Sequence, residues 1–208
     1  MSSAYLLFGR PGSGNYAVQI ALEEIGARYE QIWVGKDAEA VEKFLTLNPT
    51  GRVPALRLPD GSVLSESAAI LIHLSLAHPN AKLAPEPGST AHARFLQWMV
   101  YLSANVYETA LRYFYSNRYS TRGAADAEVI RAQAASDYLR QLELVSRQLS
   151  PYMLGGQYTL VDPYLHMLAS WCPLQSQLLY EHFPSLGVHA RLVAERPSVK
   201  KADADNAG

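Results

Sequence analysis

Three short segments in the first third of the sequence carry residue types that could hold a small ligand. The first is the glycine-rich run from Gly9 to Gly14, which leads into Asn15. Such a turn before a helix leaves backbone N–H groups unpaired at the positive end of the helix dipole, which suits an anion or a thiolate. Alternatively, Ser13 or Asn15 caps the helix, and both roles are compatible because they use the same N–H groups.

The same run approaches the phosphate-binding pattern G-x-x-x-x-G-K-[ST] of nucleotide hydrolases. However, Asn15 stands where the pattern requires the lysine that reaches the phosphates, and Tyr16 replaces the Mg²⁺-binding hydroxyl. These two replacements argue against nucleotide binding.

The second segment is Asn48–Leu56, in which Pro54 precedes an apolar strand. Proline cannot donate to a strand ladder and belongs at the first residue or the edge of a strand. If the Val53–Pro54 bond is cis, Val53 would present its N–H and C=O outward, where the backbone of a peptide ligand could pair with them. An ordinary turn before an edge strand is the alternative.

The third segment is Glu66-Ser67, at the expected start of a helix. A serine cap with an acidic neighbour is one explanation of this pair. The other is a ligand site, in which Ser67 and the helix N–H groups hold a carboxylate while Glu66 binds an ammonium group. A ligand with both groups is an α-amino acid.

Hydrophobic periodicity places these segments in an α/β unit that is followed by an all-α unit. Strands are predicted at Tyr5–Phe8, Tyr29–Val34, Val53–Leu58 and Val63-Leu64, with helices from Tyr16, around Val41–Leu45 and over Ala68–Ala77. No strand is predicted after Ala91. A capping box at Thr159–Asp162 predicts a helix from about Val161, and Leu186–Glu195 is predicted as the last helix, stopped by Pro197. The predicted boundaries are residues 1–79, a linker at 80–88, and residues 89–208.

Composition narrows the function classes. Lys and Arg number 18 and Asp and Glu 19, so no basic surface for nucleic acid or anionic membrane is expected. The single cysteine, Cys172, gives no disulfide or metal pattern, no histidine pair has metal-ligand spacing, and the apolar stretch near the first residues is too short for a signal peptide. We therefore expect a cytoplasmic protein without a bound metal.

Taken together, the three segments resemble the thioredoxin-like domain of cytosolic glutathione transferases, most closely the bacterial beta class. The resemblance rests on N-P-x-G-x-V-P-x-L followed by E-S, and in the helical half on Thr159–Asp162 and Arg196-Pro-Ser-Val199. It implies a thioredoxin-like N-terminal domain before an all-helical domain, glutathione as co-substrate, and a homodimer that acts in detoxification.

The resemblance also implies roles for individual residues. Val53, before a cis Pro54, should pair with the cysteinyl backbone of glutathione, and Glu66 and Ser67 should hold its γ-glutamyl end. Lys36, or alternatively Arg52, should lie near the glycyl carboxylate.

The first loop departs from the beta class, because Gly14 occupies the position of the family's cysteine. Transfer through a mixed disulfide with that cysteine is therefore not expected. Ser13, and after it Asn15, are the candidates for stabilising the glutathione thiolate.

The electrophile is expected to be hydrophobic or aromatic and to bind beside Gly12, Tyr107, Leu111 and Tyr115, although each helical member of this set could equally belong to a helix-bundle core. A glutathione-dependent isomerase, a peroxide or disulfide reductase, and a non-enzymatic glutathione-binding scaffold are the alternatives to a transferase.

Overall fold

The structure of the protein, a computed structural model, describes residues 4–206. It divides into two compact units: the residues up to Ala84 together with those from Glu195 onward, and Pro85–Ala194. Within the described residues, no helix has an apolar stretch long enough to cross a membrane.

The first unit is built on a four-stranded mixed sheet with the order β2-β1-β3-β4. Its strands are β1 (Tyr5–Gly9), β2 (Tyr29–Trp33), β3 (Ala55–Arg57) and β4 (Val63–Ser65). β1 and β2 are parallel, whereas β3 is antiparallel to both β1 and β4. A helical crossover joins β1 to β2, as parallel strands require, and a tight turn at Asp60-Gly61 joins β3 to β4.

Three helices follow the strands of this sheet: α1 (Asn15–Glu24), α2 (Ala38–Leu47) and α3 (Ser67–Ala77). The apolar faces of α1 and α3 are fully buried, as are Leu7 on β1 and Leu56 on β3. Burying each such Leu or Ile side chain contributes about 1.5–3 kcal/mol. The core thus fixes the strands and the helix starts that bear the ligand-binding candidates.

The last residues that the structure describes form a helix that the sequence did not predict, α10 (Pro197–Asn206). Pro197 was expected to stop a helix and instead occupies the first position of one, where its missing N–H costs nothing. This helix packs against α1: Arg196 pairs with both carboxylate oxygens of Glu24 at 2.5 and 2.6 Å, and Lys201 contacts Glu23 at 2.5 Å. The residues from Glu195 onward consequently belong to the first unit, not to the predicted 89–208 domain.

The second unit is helical. Its members are α4 (Thr90–Tyr101), α5 (Glu108–Phe114), α6 (Ala124–Ser146), α7 (Val161–Ser170), α8 (Ser176–His182) and α9 (Pro184–Ala194). A π-helical stretch, Leu102–Tyr107, joins α4 to α5. The sequence did not predict α8. The predicted fold class, a thioredoxin-like unit followed by a helical region, is confirmed.

A buried carboxylate organises the start of α7, which begins at Val161 as predicted. Asp162 is fully buried and accepts hydrogen bonds from the Thr159 N–H at 2.7 Å, the Thr159 hydroxyl at 3.2 Å and the Met153 N–H at 2.9 Å. His189 Nε2 lies 3.1 Å from the same carboxylate. Only half of the predicted capping box forms, because the Thr159 hydroxyl donates to Asp162 instead of accepting from the helix backbone.

Replacing Asp162 by alanine should therefore lower the free energy of unfolding by roughly 3 kcal/mol, since two backbone donors and a hydroxyl lose their acceptor in a buried place. Denaturant unfolding followed by circular dichroism measures this loss. Glu128→Ala is the matched control: its side chain is 82% exposed and pairs with Arg131 at the surface. An equal, small loss in both variants would show that the Asp162 network does not hold the unit together.

Candidate functional site

The strand register brings four chain segments to one end of the sheet. Gly9, the last residue of β1, pairs with Trp33, the last of β2. Across the other side of β1, Phe8 pairs with Ala55, the first residue of β3, and Ala55 pairs with Ser65, the last of β4. The loops that follow β1, β2 and β4 and the segment that precedes β3 therefore leave the sheet at the same end.

All the candidate glutathione-binding residues lie on these segments. After β1 come Gly12, Ser13 and Asn15; after β2, Lys36; before β3, Arg52, Val53 and Pro54; after β4, Glu66 and Ser67. The remaining candidates, Tyr107, Leu111 and Tyr115, belong to the second unit.

Asn15 is the first residue of α1, and its side chain is fully buried. Its Oδ1 accepts hydrogen bonds from the Arg10 N–H at 3.2 Å and from the Ser13 hydroxyl at 2.6 Å. The residue that caps α1 is Gly14, which makes no side-chain cap bond, so the interpretation of Ser13 or Asn15 as a helix cap is wrong. Asn15 instead stabilises the loop through these two hydrogen bonds.

The buried position of the Asn15 side chain requires glycine at residue 9. A Cβ at Gly9 would lie 2.4 Å from Cγ of Asn15, well inside van der Waals contact. The end of β1 and the buried amide thus fit together only because residue 9 has no side chain.

Groups that could donate to a thiolate remain at the start of α1. Ser13 is half-buried, unlike Asn15, so its hydroxyl is the more accessible of the two. The N–H groups of Ser13 and Gly14 donate to no other residue within 4–206. Tyr16 contributes no free hydroxyl, because it donates to Asp203 at 2.6 Å and its burial, together with that carboxylate, raises its pKa well above the usual range.

The Val53–Pro54 bond is cis. The resemblance to glutathione transferases implies a cis bond at this position. The loop before it is braced by Asn48, whose Nδ2 donates to the Arg52 carbonyl at 2.7 Å and whose Oδ1 accepts from the Thr50 hydroxyl at 3.0 Å. The backbone N–H and C=O of Val53 bond to no other described residue. They are therefore available to the backbone of a ligand.

Glu66 has a φ of 69°, in the left-handed region that a glutamate rarely adopts. Its carbonyl accepts from the Ile70 N–H at 2.9 Å, while its side chain is exposed. Ser67, by contrast, is buried and begins α3. Strain of this kind costs about 1–3 kcal/mol and persists where the surrounding structure enforces it, often at ligand sites.

Three cations lie on the segments that leave the sheet at this end, and one of them, Arg10, was not expected from the sequence. Lys36 and Arg52 are exposed, so their charges are accessible to a carboxylate. Arg10 lies in the first loop and is half-buried, with Nε donating to the Val34 carbonyl at 3.3 Å. Its position beside a glycine-rich turn was the available signal.

The aromatic candidates of the second unit divide into two places. Tyr107 lies edge-on to Trp171 with ring centroids 5.3 Å apart, whereas Tyr115 stacks under the guanidinium of Arg118 at 4.3 Å.

Cys172 follows Trp171, is partly buried, and has its thiol pKa raised by that burial. No group of side chains within residues 4–206 has the composition of a metal site.

Comparisons with known proteins identify similar sequences and folds. The family model described as the glutathione S-transferase N-terminal domain matches residues 17–76. The glutathione S-transferase GstA of Escherichia coli O157:H7 is 25% identical over 201 residues, covering 94% of this chain and 96% of GstA. A glutathione transferase homologue from Sulfitobacter, solved with bound glutathione, superimposes with a TM-score of 0.88 at 27% identity over 99% of both chains.

The GST-like protein YncG of Escherichia coli K12 is 34% identical over 173 residues, which cover 80% of this chain and 82% of YncG. With this relative, the matching N-terminal domain and the shared fold, the chain belongs to the glutathione S-transferase family.

Proposed function

We propose that the protein is a glutathione transferase, which binds glutathione across the end of the sheet and presents its thiol as a thiolate to a hydrophobic or aromatic electrophile. The observation that carries this proposal is the register that brings the first loop, Lys36, Val53 and the Glu66-Ser67 pair to one end of the sheet.

The spacing of these groups suits an extended tripeptide. Adjacent strands are about 4.8 Å apart, so the outer strands β2 and β4 are separated by roughly 14 Å. Three extended residues span roughly 10–11 Å, and long side chains of the protein can span the rest of the distance between β2 and β4. With the strand order β2-β1-β3-β4, we expect the glycyl end of the ligand near Lys36, its cysteine between the first loop and Val53, and its γ-glutamyl end at Glu66-Ser67.

Charge at the two ends supports the same direction. The γ-glutamyl end carries an α-carboxylate and an α-ammonium group. The N-terminus of α3 offers N–H groups to the carboxylate, and the exposed carboxylate of Glu66 is free to pair with the ammonium. The glycyl carboxylate meets Lys36, with Arg52 as the second cation within the same set of segments.

The first loop can supply the stabilisation that thiol activation needs. A free thiol has a pKa of about 8.5, and lowering it by two units takes about 2.7 kcal/mol. A hydroxyl or amide donor to a charged partner is worth roughly 1.5–3 kcal/mol. The dipole of α1 adds about 0.5 kcal/mol. Ser13 with the adjacent N–H groups is therefore sufficient, and Asn15 contributes by holding Ser13.

Covalent thiol transfer through a cysteine of the protein is not part of this proposal. Gly14 replaces the loop cysteine, and the thiol of Cys172 belongs to the second unit and is disfavoured as a thiolate by its burial. A hydrophobic or aromatic electrophile, a homodimer, and a cytoplasmic role in detoxification are proposals that rest on family membership.

Replacing Ser13 by alanine should raise the thiol pKa of bound glutathione by roughly one unit, because one charge-assisted hydrogen bond to the thiolate is lost. The ultraviolet absorbance of the thiolate, titrated against pH at saturating glutathione, measures this. Ser136→Ala, an exposed serine on α6, is the control and should match the unaltered protein. The proposal fails if bound glutathione shows no thiolate at neutral pH, and the role of Ser13 fails if its removal changes nothing.

Replacing Glu66 by glutamine should weaken glutathione binding about threefold to fivefold, since an exposed ion pair contributes up to about 1 kcal/mol. Calorimetry against glutathione and against its deamino analogue, which lacks the α-ammonium, assigns the loss. The analogue should bind the unaltered protein and Glu66→Gln equally well. Glu39→Gln, an exposed acidic residue of α2, serves as control. An equal loss for both ligands would contradict the pairing of Glu66 with the ammonium.

A further inference from the structure

Arg10 is a half-buried cation that no carboxylate within residues 4–206 neutralises. Three arginines of this range are half-buried: Arg10, Arg131 and Arg196. Arg131 and Arg196 each pair with a glutamate, at 2.6 and 2.5 Å, whereas Arg10 makes no ion pair with any described residue. Moving a charge partly out of water costs free energy, which a partner of opposite charge offsets. The guanidinium of Arg10 therefore has the properties of a binding group for an anionic ligand.

A hydrogen bond to Val34 fixes where this guanidinium lies. The Val34 N–H donates to the Gly9 carbonyl at 2.9 Å, which extends the pairing of β1 and β2 by one residue. The Val34 carbonyl in turn accepts from Arg10 Nε at 3.3 Å. The two terminal NH₂ groups of the planar fork bond to no other residue that the structure describes. The guanidinium thus lies on the β1–β2 side of the end of the sheet where we propose that glutathione binds.

The acidic residue next to this place is engaged elsewhere. Asp37 caps α2, where its Oδ1 accepts from the Ala40 N–H at 2.9 Å, and it forms no ion pair with Arg10 or Lys36. Lys36 is exposed and has no carboxylate partner in the described part of the chain. Two unpaired cations therefore lie on the segments next to the expected position of the glycyl carboxylate.

Of these two cations, Arg10 is the better suited to hold a carboxylate. An exposed ammonium on a flexible stem gains little from an ion pair, because water and salt screen the interaction. A guanidinium that is half-buried and held at Nε loses less conformational entropy on binding, and its terminal groups can donate to both oxygens of a carboxylate. We therefore expect most of the binding energy at this end of the ligand to come from Arg10.

Arg10 also belongs to the loop that holds Ser13. Its backbone N–H donates to Asn15 Oδ1 at 3.2 Å and to Ser13 Oγ at 3.4 Å. Pro11 restricts Arg10 to extended backbone conformations. A carboxylate bound by the Arg10 side chain is consequently held in a fixed relation to the Ser13 hydroxyl.

We infer that Arg10 is the specificity-determining residue that binds the glycyl carboxylate of glutathione, so that the site selects thiol peptides whose C-terminal carboxylate is free over those in which it is an amide. This inference rests on the proposed function and deepens it. Lys36 then supplies a second, screened charge at the same end.

The test compares glutathione with glutathione amide, in which a neutral group of the same size replaces the glycyl carboxylate. The unaltered protein should bind glutathione about thirtyfold more tightly, because hydrogen bonds to a charged group are about twice as strong as neutral ones. Arg10→Gln should reduce this ratio to about threefold by weakening glutathione alone. Lys36→Gln should leave about tenfold, since an exposed pair changes affinity by less than about fivefold. Calorimetry measures both affinities.

Two further variants serve as controls. Arg28→Gln makes the same change of charge at an exposed arginine just before β2, at the opposite end of the sheet, so it should keep the ratio of the unaltered protein. Arg10→Lys retains the charge without the planar fork and should give a ratio between those of the unaltered protein and Arg10→Gln.

An unchanged ratio in Arg10→Gln overturns the inference even if both ligands bind more weakly, because a purely structural role of Arg10 would weaken them equally. Loss of the ratio in Lys36→Gln alone overturns it too, since the carboxylate would then belong to Lys36. Both results leave the proposed function intact, because glutathione still binds. If the unaltered protein did not bind glutathione, the proposed function and the inference would both be wrong.

Discussion

The buried amide of Asn15 is the interaction on which the architecture of the site depends. It bonds to the backbone after β1, to the hydroxyl of Ser13 and to Asn206 in α10, which lies 191 residues away in the sequence. Because the amide is fully buried, each bond it makes is costly to lose, and the loop is held in place before any ligand arrives. Glycine at position 9 leaves the space that the Asn15 side chain occupies.

The sheet then converts four local features into one site. Individually, a glycine-rich turn, a lysine, a proline before a strand and a serine at a helix start are common. The register aligns Gly9 with Trp33 and Phe8 with Ala55 and Ser65, which places these features in the order of the groups of an extended tripeptide. The strained backbone of Glu66 lies at the end of that order, where the ligand's α-amino acid would be held.

Sequence reasoning succeeded where the cause is local. The start of α7 at Val161, the proline before β3 and the start of α3 near Ser67 follow from capping, ring geometry and periodicity within a few residues. It failed where the cause is distant. Pro197 stops a helix or begins one depending on what the following segment packs against, and here Arg196 and Lys201 meet Glu24 and Glu23 on α1.

The role of Asn15 shows the same limit. From sequence, a polar residue after a glycine-rich turn is a cap or a ligand donor, whereas its observed partners include Asn206, which no local pattern could indicate.

The dependence of ligand affinity on pH tests the central claim, that the site prefers the thiolate of glutathione. If it does, glutathione should bind more tightly as pH rises, up to tenfold per pH unit between the thiol pKa in the complex and the free value of about 8.5. S-methylglutathione has no ionisable thiol, so its affinity should not show this rise. Parallel profiles for the two ligands would contradict the account.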